Sequence, residues 1–301
     1  MSKRVEQKAQ ARERVAALRA QQQRAERRKR LLIAVGAVVA VVVVVGGLVI
    51  IKVAGGGSDK TATGPSGSAD AQIVAALSSI PAETFAKVGS DGVQAAPSAI
   101  TAPPLTAGGK PKVLYIGAEF CPYCAAERWP VSVALSRFGT FSNLGTTHSA
   151  ADDVFPNTPT LSFHGATYTS QYLSFTGLET TTNEKVNGQY KPLDTPSAED
   201  QKTFDTYNAP PYVKSGGSIP FVDLGGKFVT SGATYSPEVL AGKTQAEIAE
   251  ALKDPSNAIA KAVDASANVY TAAFCAMTNN QPANVCSTEA VKAAAGKLGK
   301  S

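Results

Sequence analysis

Cys121 and Cys124 stand two residues apart, with Pro122 and Tyr123 between them. A pair at that spacing can close and open a disulfide with little backbone movement, which suits thiol–disulfide exchange. The flanking sequence sharpens this. Lys112-Val113-Leu114-Tyr115-Ile116-Gly117-Ala118 is short, apolar and β-rich and reads as a fully buried strand. From Cys121 to about Phe138 the chain reads as a helix, with Val131, Leu135 and Phe138 on one side. A helix that begins at Cys121 sets its sulfur beside orphan backbone N–H groups and the positive end of the helix dipole, and both favour a thiolate. Cys124 lies one turn deeper on the same face. Cys121 is the expected nucleophile and Cys124 the thiol that resolves the mixed disulfide. Such chemistry needs no cofactor beyond the redox-active Cys121–Cys124 disulfide itself.

Three other readings use the same spacing. Zinc needs two further ligands, and Cys275 and Cys286 have no His or Cys at metal spacing, so no metal is expected. Haem attachment needs a His after the second cysteine, where Ala125 stands. A purely structural disulfide stays open, because an oxidising compartment permits one. Cys275 and Cys286 complete an even set of four cysteines and are expected to pair as a structural disulfide. Closing that loop adds roughly 2–3 kcal/mol by chain-entropy reasoning. A second redox centre is the alternative, with nothing local to activate either thiol.

The compartment is read from the N-terminus. Residues 1–30 hold eleven Lys/Arg against three Glu, a charge of +8 that leaves −3 for the rest of a chain whose net charge is +5. The remainder is mildly acidic, and its charge excludes a nucleic-acid binder. Leu31 to Ile51 is a run of 21 residues with no charged or polar side chain. As a helix it spans roughly 30 Å, the thickness of a bilayer's hydrocarbon core. Its many Val residues weaken a helix in water, but in lipid the backbone must satisfy its own hydrogen bonds. The basic residues before it are expected to stay in the cytoplasm, or to lie as a helix on anionic lipid. A cleaved signal peptide is the rival, but its apolar region is normally about 7–15 residues long. No cysteine stands directly after the run, which excludes a lipoprotein anchor. The expectation is a single-pass cell-membrane protein with a cytoplasmic N-terminus and an extracytoplasmic domain.

Residues 54–70 have linker composition, with an r.m.s. reach of roughly 20–25 Å, and the domain is expected over 71–301. Residues 71–88 read as helix broken at Pro81, and 95–112 as irregular. Phe141 to His148 reads as a second strand, and 160–168 as a hairpin about His164-Gly165, which Tyr172 to Phe175 extends. Thr195-Pro196 is the expected start of a helix over 198–207. Ile219–Leu224 and Lys227–Thr230 form a strand pair across Gly225-Gly226. Thr244-Gln245-Ala246-Glu247 is a capping box, and Asp254-Pro255 is expected to cap a longer helix toward Met277.

The segment Tyr115-Ile116-Gly117-Ala118-Glu119-Phe120-Cys121-Pro122-Tyr123-Cys124 resembles the active-site strand and turn of the thioredoxin-like superfamily, and its Pro-Tyr pair is similar to that of glutaredoxins. Ser218-Ile219-Pro220-Phe221-Val222-Asp223 resembles the cis-proline loop that faces the cysteines in that fold. Only proline makes a cis peptide cheap; an ordinary trans turn is the alternative at Pro220. The resemblance implies an α/β (α+β) thioredoxin-like fold, substrate contact at Ile219, Pro220, Phe120 and Tyr123, and oxidoreductase action on extracytoplasmic protein thiols and disulfides, with a membrane redox partner. Gly117 to Trp129 more closely resembles a family of membrane-anchored thioredoxin-like proteins of unknown function, over about residues 75–295. A non-catalytic thioredoxin-like scaffold with a structural disulfide is the alternative.

Departures are plain. Phe120 stands where thioredoxin has Trp, Ala125 where a basic residue is common, and Pro130 lies one residue late. About 95 residues separate the cysteines from Pro220, so an inserted subdomain is expected at about 150–213. Glu119 opposes thiolate formation if close and ionised. Few basic residues flank these motifs, so glutathione is not expected as a ligand. His148 and His164 are candidates to tune a thiol, or else ordinary strand and surface residues.

Overall fold

Val113-Leu114-Tyr115-Ile116 sends alternate side chains to opposite faces, as a strand must, and both faces are buried. In the computed structural model, which describes residues 67–68 and 71–299, Val113 and Tyr115 join the main core. Leu114 and Ile116 join a second apolar layer with Leu105, Leu178 and Phe204. That near-continuous apolar run marks a strand covered on both sides.

Six elements matter for the site: β1 (Lys110–Gly117), α1 (Pro122–Ser136), β2 (Ser174–Glu179), β3 (Phe221–Leu224), β4 (Phe228–Ser231) and α2 (Ala258–Met277). β1 pairs in parallel with β2, Lys112 opposite Ser174 through Gly117 opposite Glu179. On its other side it is antiparallel to β3, Ile116 opposite Phe221, and β3 is antiparallel to β4. The order is β4-β3-β1-β2 in a mixed sheet, and the fold is mixed α/β. Short strands Ser98–Ala99 and Thr106–Ala107 extend it at β4 and at the start of β1. The β3–β4 turn needs its glycines: Gly225 and Gly226 have φ of 67° and 70°, a conformation that costs a side-chain-bearing residue.

α1 and α2 pack together on one face. On the other, helix Ala198–Tyr207 sets Phe204 edge-on to Phe221 at 5.5 Å, and Lys112 Nζ holds Asp200 at 2.5 Å. α1 is buried along nearly its whole length. Pro130 lies inside it and has no N–H for the Ala126 carbonyl. Tyr235 Oη supplies the missing donor at 2.8 Å. Cys275 and Cys286 form a disulfide, with Cα atoms 5.6 Å apart. It ties the end of α2 to a short helix, Ala283–Cys286.

The helices Ala71–Ser78 and Ala82–Val88, the 3₁₀ turn Pro237–Leu240 and the Thr244–Glu247 capping box are all present, the first two flanking Pro81 as expected. Four expectations need correction. The turn at 163–166 exists, with Ala166 N–H donating to Phe163 O at 3.1 Å, but its arms do not pair. Pro159–Ser162 joins Gly145–His148, and Thr167–Ser170 joins Gly139–Ser142. The cause is Phe163, buried against Tyr115 (4.8 Å) and Phe175 (4.9 Å), where a hairpin turn would be solvated. The expected strand 141–148 is broken at Asn143, whose φ is 56°. The stretch 150–213 is not a separate insertion: β2 lies within it and is part of the central sheet. Helix caps also shift: Ser197 Oγ accepts from Asp200 N–H at 3.1 Å, and Asn257 Oδ1 from Ile259 N–H at 2.9 Å.

The chain divides into residues 1–63 and 64–301. The basic tail 1–30 and the apolar run 31–51 lie outside the described residues. Of the expected linker only Gly67–Ser68 is described, paired with Thr146 and Gly145. Among the described residues no helix is long and apolar enough to cross a membrane.

Candidate functional site

β1 ends at Gly117 and α1 begins at Pro122, so Cys121 is the helix N-cap, in an extended conformation (φ −77°, ψ 121°). Pro122 suits the first helical position because its missing N–H is one that would lack a partner anyway. Cys121 Sγ accepts the Cys124 N–H at 3.2 Å. The two thiols are not bonded to each other; Cys124 is fully buried, and Cys121 is 6% exposed.

The Ile219–Pro220 peptide is cis. The Cys121 thiol faces Ile219 O at 3.8 Å. Gly232 N–H donates to Pro220 O at 2.8 Å, which fixes this loop to the end of β4. Residues 98 positions apart in sequence thus meet at one sulfur.

The two thiols are biased in opposite directions. Cys121 is pushed down from the usual thiol range, first by the Cys124 thiol hydrogen bond; burial opposes this, and the N–H groups of Cys124 and Tyr123 and the Arg128 charge add to it. Cys124 is pushed well up, first by burial and then by its partner thiol. The sulfur that ionises more readily is the slightly exposed one, and the one biased to stay protonated is fully buried.

Sequence reasoning missed the charged layer under the thiols. Arg128, one turn beyond Cys124, is fully buried. Its Nε and Nη2 hold Glu179 at 2.7 and 2.6 Å, and Nη2 also donates to Ala118 O at 2.7 Å. Arg128 Nη1 is buried with no protein partner. Arg128 lowers both thiols, and Glu179 raises Cys124. Glu127 is buried on another side of α1. Burial pushes its carboxyl up to about 7, against hydrogen bonds from the Thr234 N–H and hydroxyl and from Tyr270 Oη. The available signal was two adjacent charges in a helix with no other charged residue and mostly apolar side chains: such a helix is buried all round, and its charges must be paired.

Phe120 stacks on Tyr190 with centroids 4.2 Å apart, and Tyr123 meets Phe155 edge-on at 5.8 Å. Glu119 is buried and accepts from Ser162 Oγ at 2.7 Å. His164 Nδ1 faces Asp194 at 2.7 Å, and His148 lies by Gln245 with its pKa pushed down by burial. Neither histidine is among the groups that bias a thiol. Among the described residues no group of three or more His, Cys, Asp or Glu could hold a metal ion. Cys275 and Cys286 are joined to each other and are not free to ligate one.

Residues 97–193 match the profile of a family described as a domain of unknown function (DUF929). No curated protein and no solved structure matches the chain. The matched segment contains β1, both site cysteines, Arg128 and Glu179, and stops short of Pro220.

Proposed function

We propose that this chain is a thiol–disulfide oxidoreductase of thioredoxin-like fold that acts on protein thiols and disulfides through Cys121 and Cys124. In this reading residues 31–51 anchor it in the cell membrane with the catalytic domain outside. The β4-β3-β1-β2 order, with one parallel and two antiparallel pairings, supports the fold. The observation that carries the function is one sulfur held by two motifs. Cys121 Sγ takes the helix N–H of Cys124 on one side and faces the carbonyl of a cis Ile219–Pro220 peptide on the other.

The steps follow from the bias of the thiols. The Cys121 thiolate attacks a substrate disulfide; a Cys121–substrate bond forms and one substrate sulfur leaves as a thiolate. Cys124 loses its proton and attacks the Cys121 sulfur, releasing the second substrate thiol and closing Cys121–Cys124. The substrate disulfide gains two electrons and the protein dithiol loses them. Run in reverse, the same steps oxidise a substrate dithiol. A membrane redox partner would reset the pair. Ile219 and Pro220 shape the substrate groove, with Phe120 and Tyr123 at its edge.

The test is a trap. Cys124→Ala removes the resolving thiol, so mixed disulfides should accumulate on Cys121 and disappear with added dithiothreitol. Accumulation on Cys124 in a Cys121→Ala chain instead would reverse the roles. A Cys121–Cys124 disulfide that resists reduction at glutathione-level potentials would sink the reading and favour a non-catalytic scaffold.

A further inference from the structure

The outer edge of β4 carries a gap. Phe228 pairs with Ala99 and Val229 with Ser98. The same register would set Ser231 opposite Ala96, but the pairing has stopped, and Gln94 N–H donates instead to Thr234 O at 2.9 Å. Pro97, between them, gives its carbonyl to Gly299 N–H at 3.0 Å. Residues 210–215 wall the gap on another side and leave a cavity of about 540 Å³. Their loop is pinned at both ends: Gly217 N–H donates to Asn208 O at 2.9 Å, and Asn208 Nδ2 to Ser218 O at 2.8 Å. The cavity is built by fastened segments and has a size usual for sites that take small molecules. No residue of the cysteine motif lines it, and neither Ile219 nor Pro220 does.

We propose that this cavity binds a small organic monoanion, one carboxylate-type group on a flat apolar body. The site goes beyond the thiol chemistry and does not depend on it. Pro210, Pro211, Tyr212, Val213 and Val229 supply the apolar wall. Tyr212 is held by an edge contact with Tyr207 at 5.0 Å. The flat rings of tyrosine and proline suit a planar ligand. The polar groups select its charge. Lys214 is the one charged residue in the lining, and it forms no ion pair with any described residue. Ser215, Ser218 and Ser231 also line the cavity, and their hydroxyls have no hydrogen-bond partner among the described residues. One uncommitted ammonium and three uncommitted hydroxyl donors complement a single anionic group. A polyanion such as a nucleotide would meet only one cation there, and a cationic ligand would meet no carboxylate.

Isothermal titration calorimetry tests this on the full-length chain in neutral phospholipid nanodiscs, with empty nanodiscs as the blank. Three probes separate body from charge: 2-naphthoate, its uncharged isostere 2-naphthamide, and acetate. Naphthoate should bind with a Kd on the order of 0.1–1 mM. Naphthamide should bind about twofold to fivefold more weakly, the worth of one solvent-exposed charge contact. Acetate, which has the charge without the body, should give no measurable binding. Lys214→Ala should weaken naphthoate by the same factor and leave naphthamide unchanged, a result that loss of the fold could not give. Val213→Asp sets a like charge in the apolar wall and should weaken naphthoate about tenfold or more. The basic N-terminal tail attracts any anion, so the variants decide the location. Naphthoate affinity that survives either substitution would overturn the cavity as the site. Equal affinity for naphthoate and naphthamide would overturn the monoanion, and no saturation at about 10 mM naphthoate would overturn the proposal outright.

Discussion

Arg128 holds both carboxylate oxygens of Glu179, through Nε at 2.7 Å and Nη2 at 2.6 Å, with both side chains fully buried. The pair joins α1 to β2 directly beneath the cysteine motif, and the same Nη2 grips the carbonyl of Ala118, three residues before Cys121. A planar guanidinium can make all these contacts at once, and a lysine cannot.

Removing one partner leaves a buried charge alone. Arg128→Met should destabilise the fold by roughly 3–5 kcal/mol in urea unfolding. Joint Arg128→Met and Glu179→Met substitution should cost much less than the single change. Glu179→Gln keeps the shape and deletes the negative charge, so the pKa of Cys124 should fall, because Glu179 raises it. Thiol absorbance at 240 nm across a pH titration checks this. An unmoved Cys124 transition would show that the pair serves packing alone.

Cys121 is lowered first by its hydrogen bond from Cys124 and only then by the helix N–H groups and Arg128. Cys124→Ala should therefore shift the pH midpoint of Cys121 alkylation by iodoacetamide upward. The thiolate is the reactive form, so the rate below that midpoint falls. A midpoint that stays in place would assign the lowering to the helix terminus and Arg128.

How much of this was legible depends on the range of each signal. The strand at Val113–Ile116, the helix start at Cys121 and the Gly225-Gly226 turn are local patterns of burial period and backbone freedom, and each is where the sequence reading put it. The juxtaposition of Cys121 with Ile219 came from resemblance, because no local pattern brings together residues so far apart. Phe163 misled because a turn at His164-Gly165 says nothing about which strands its arms will join; aromatic packing with Tyr115 and Phe175 decides that. β2 was hidden for a related reason. Ser-Phe-Thr-Gly-Leu-Glu is not strongly apolar, and its place in the sheet is set by pairing with β1.

Asp264 on α2 is buried with neither carboxylate oxygen hydrogen-bonded, and burial raises its pKa to about 8. The sign follows from proton counting. Between about pH 4 and 8 the folded chain keeps a proton on Asp264 that the unfolded chain has lost. Stability from this group is therefore full in acid and falls as pH rises, by up to on the order of 5 kcal/mol across that window. Asp264→Asn has no such proton to lose. Its unfolding free energy should decline less between pH 5 and 8 than that of the parent, as read by urea titration at each pH. Parallel pH profiles would show that Asp264 is ionised in the folded chain.

Pro130 and Tyr235 make a pair whose energy a double-mutant cycle can isolate. With no N–H at position 130, the Ala126 carbonyl depends on Tyr235 Oη, 2.8 Å away in the buried core. Tyr235→Phe leaves that carbonyl unsatisfied and should cost roughly 1–3 kcal/mol. Pro130→Ala restores a backbone donor four residues on, so the helix can satisfy Ala126 without the tyrosine. In the Pro130→Ala background the cost of Tyr235→Phe should then shrink to about 1 kcal/mol or less, the worth of an ordinary hydrogen bond. Both variants keep the ring and the helix, so the comparison isolates the hydroxyl. Equal costs of Tyr235→Phe in the two backgrounds would mean that the carbonyl under Pro130 is satisfied by something other than Tyr235.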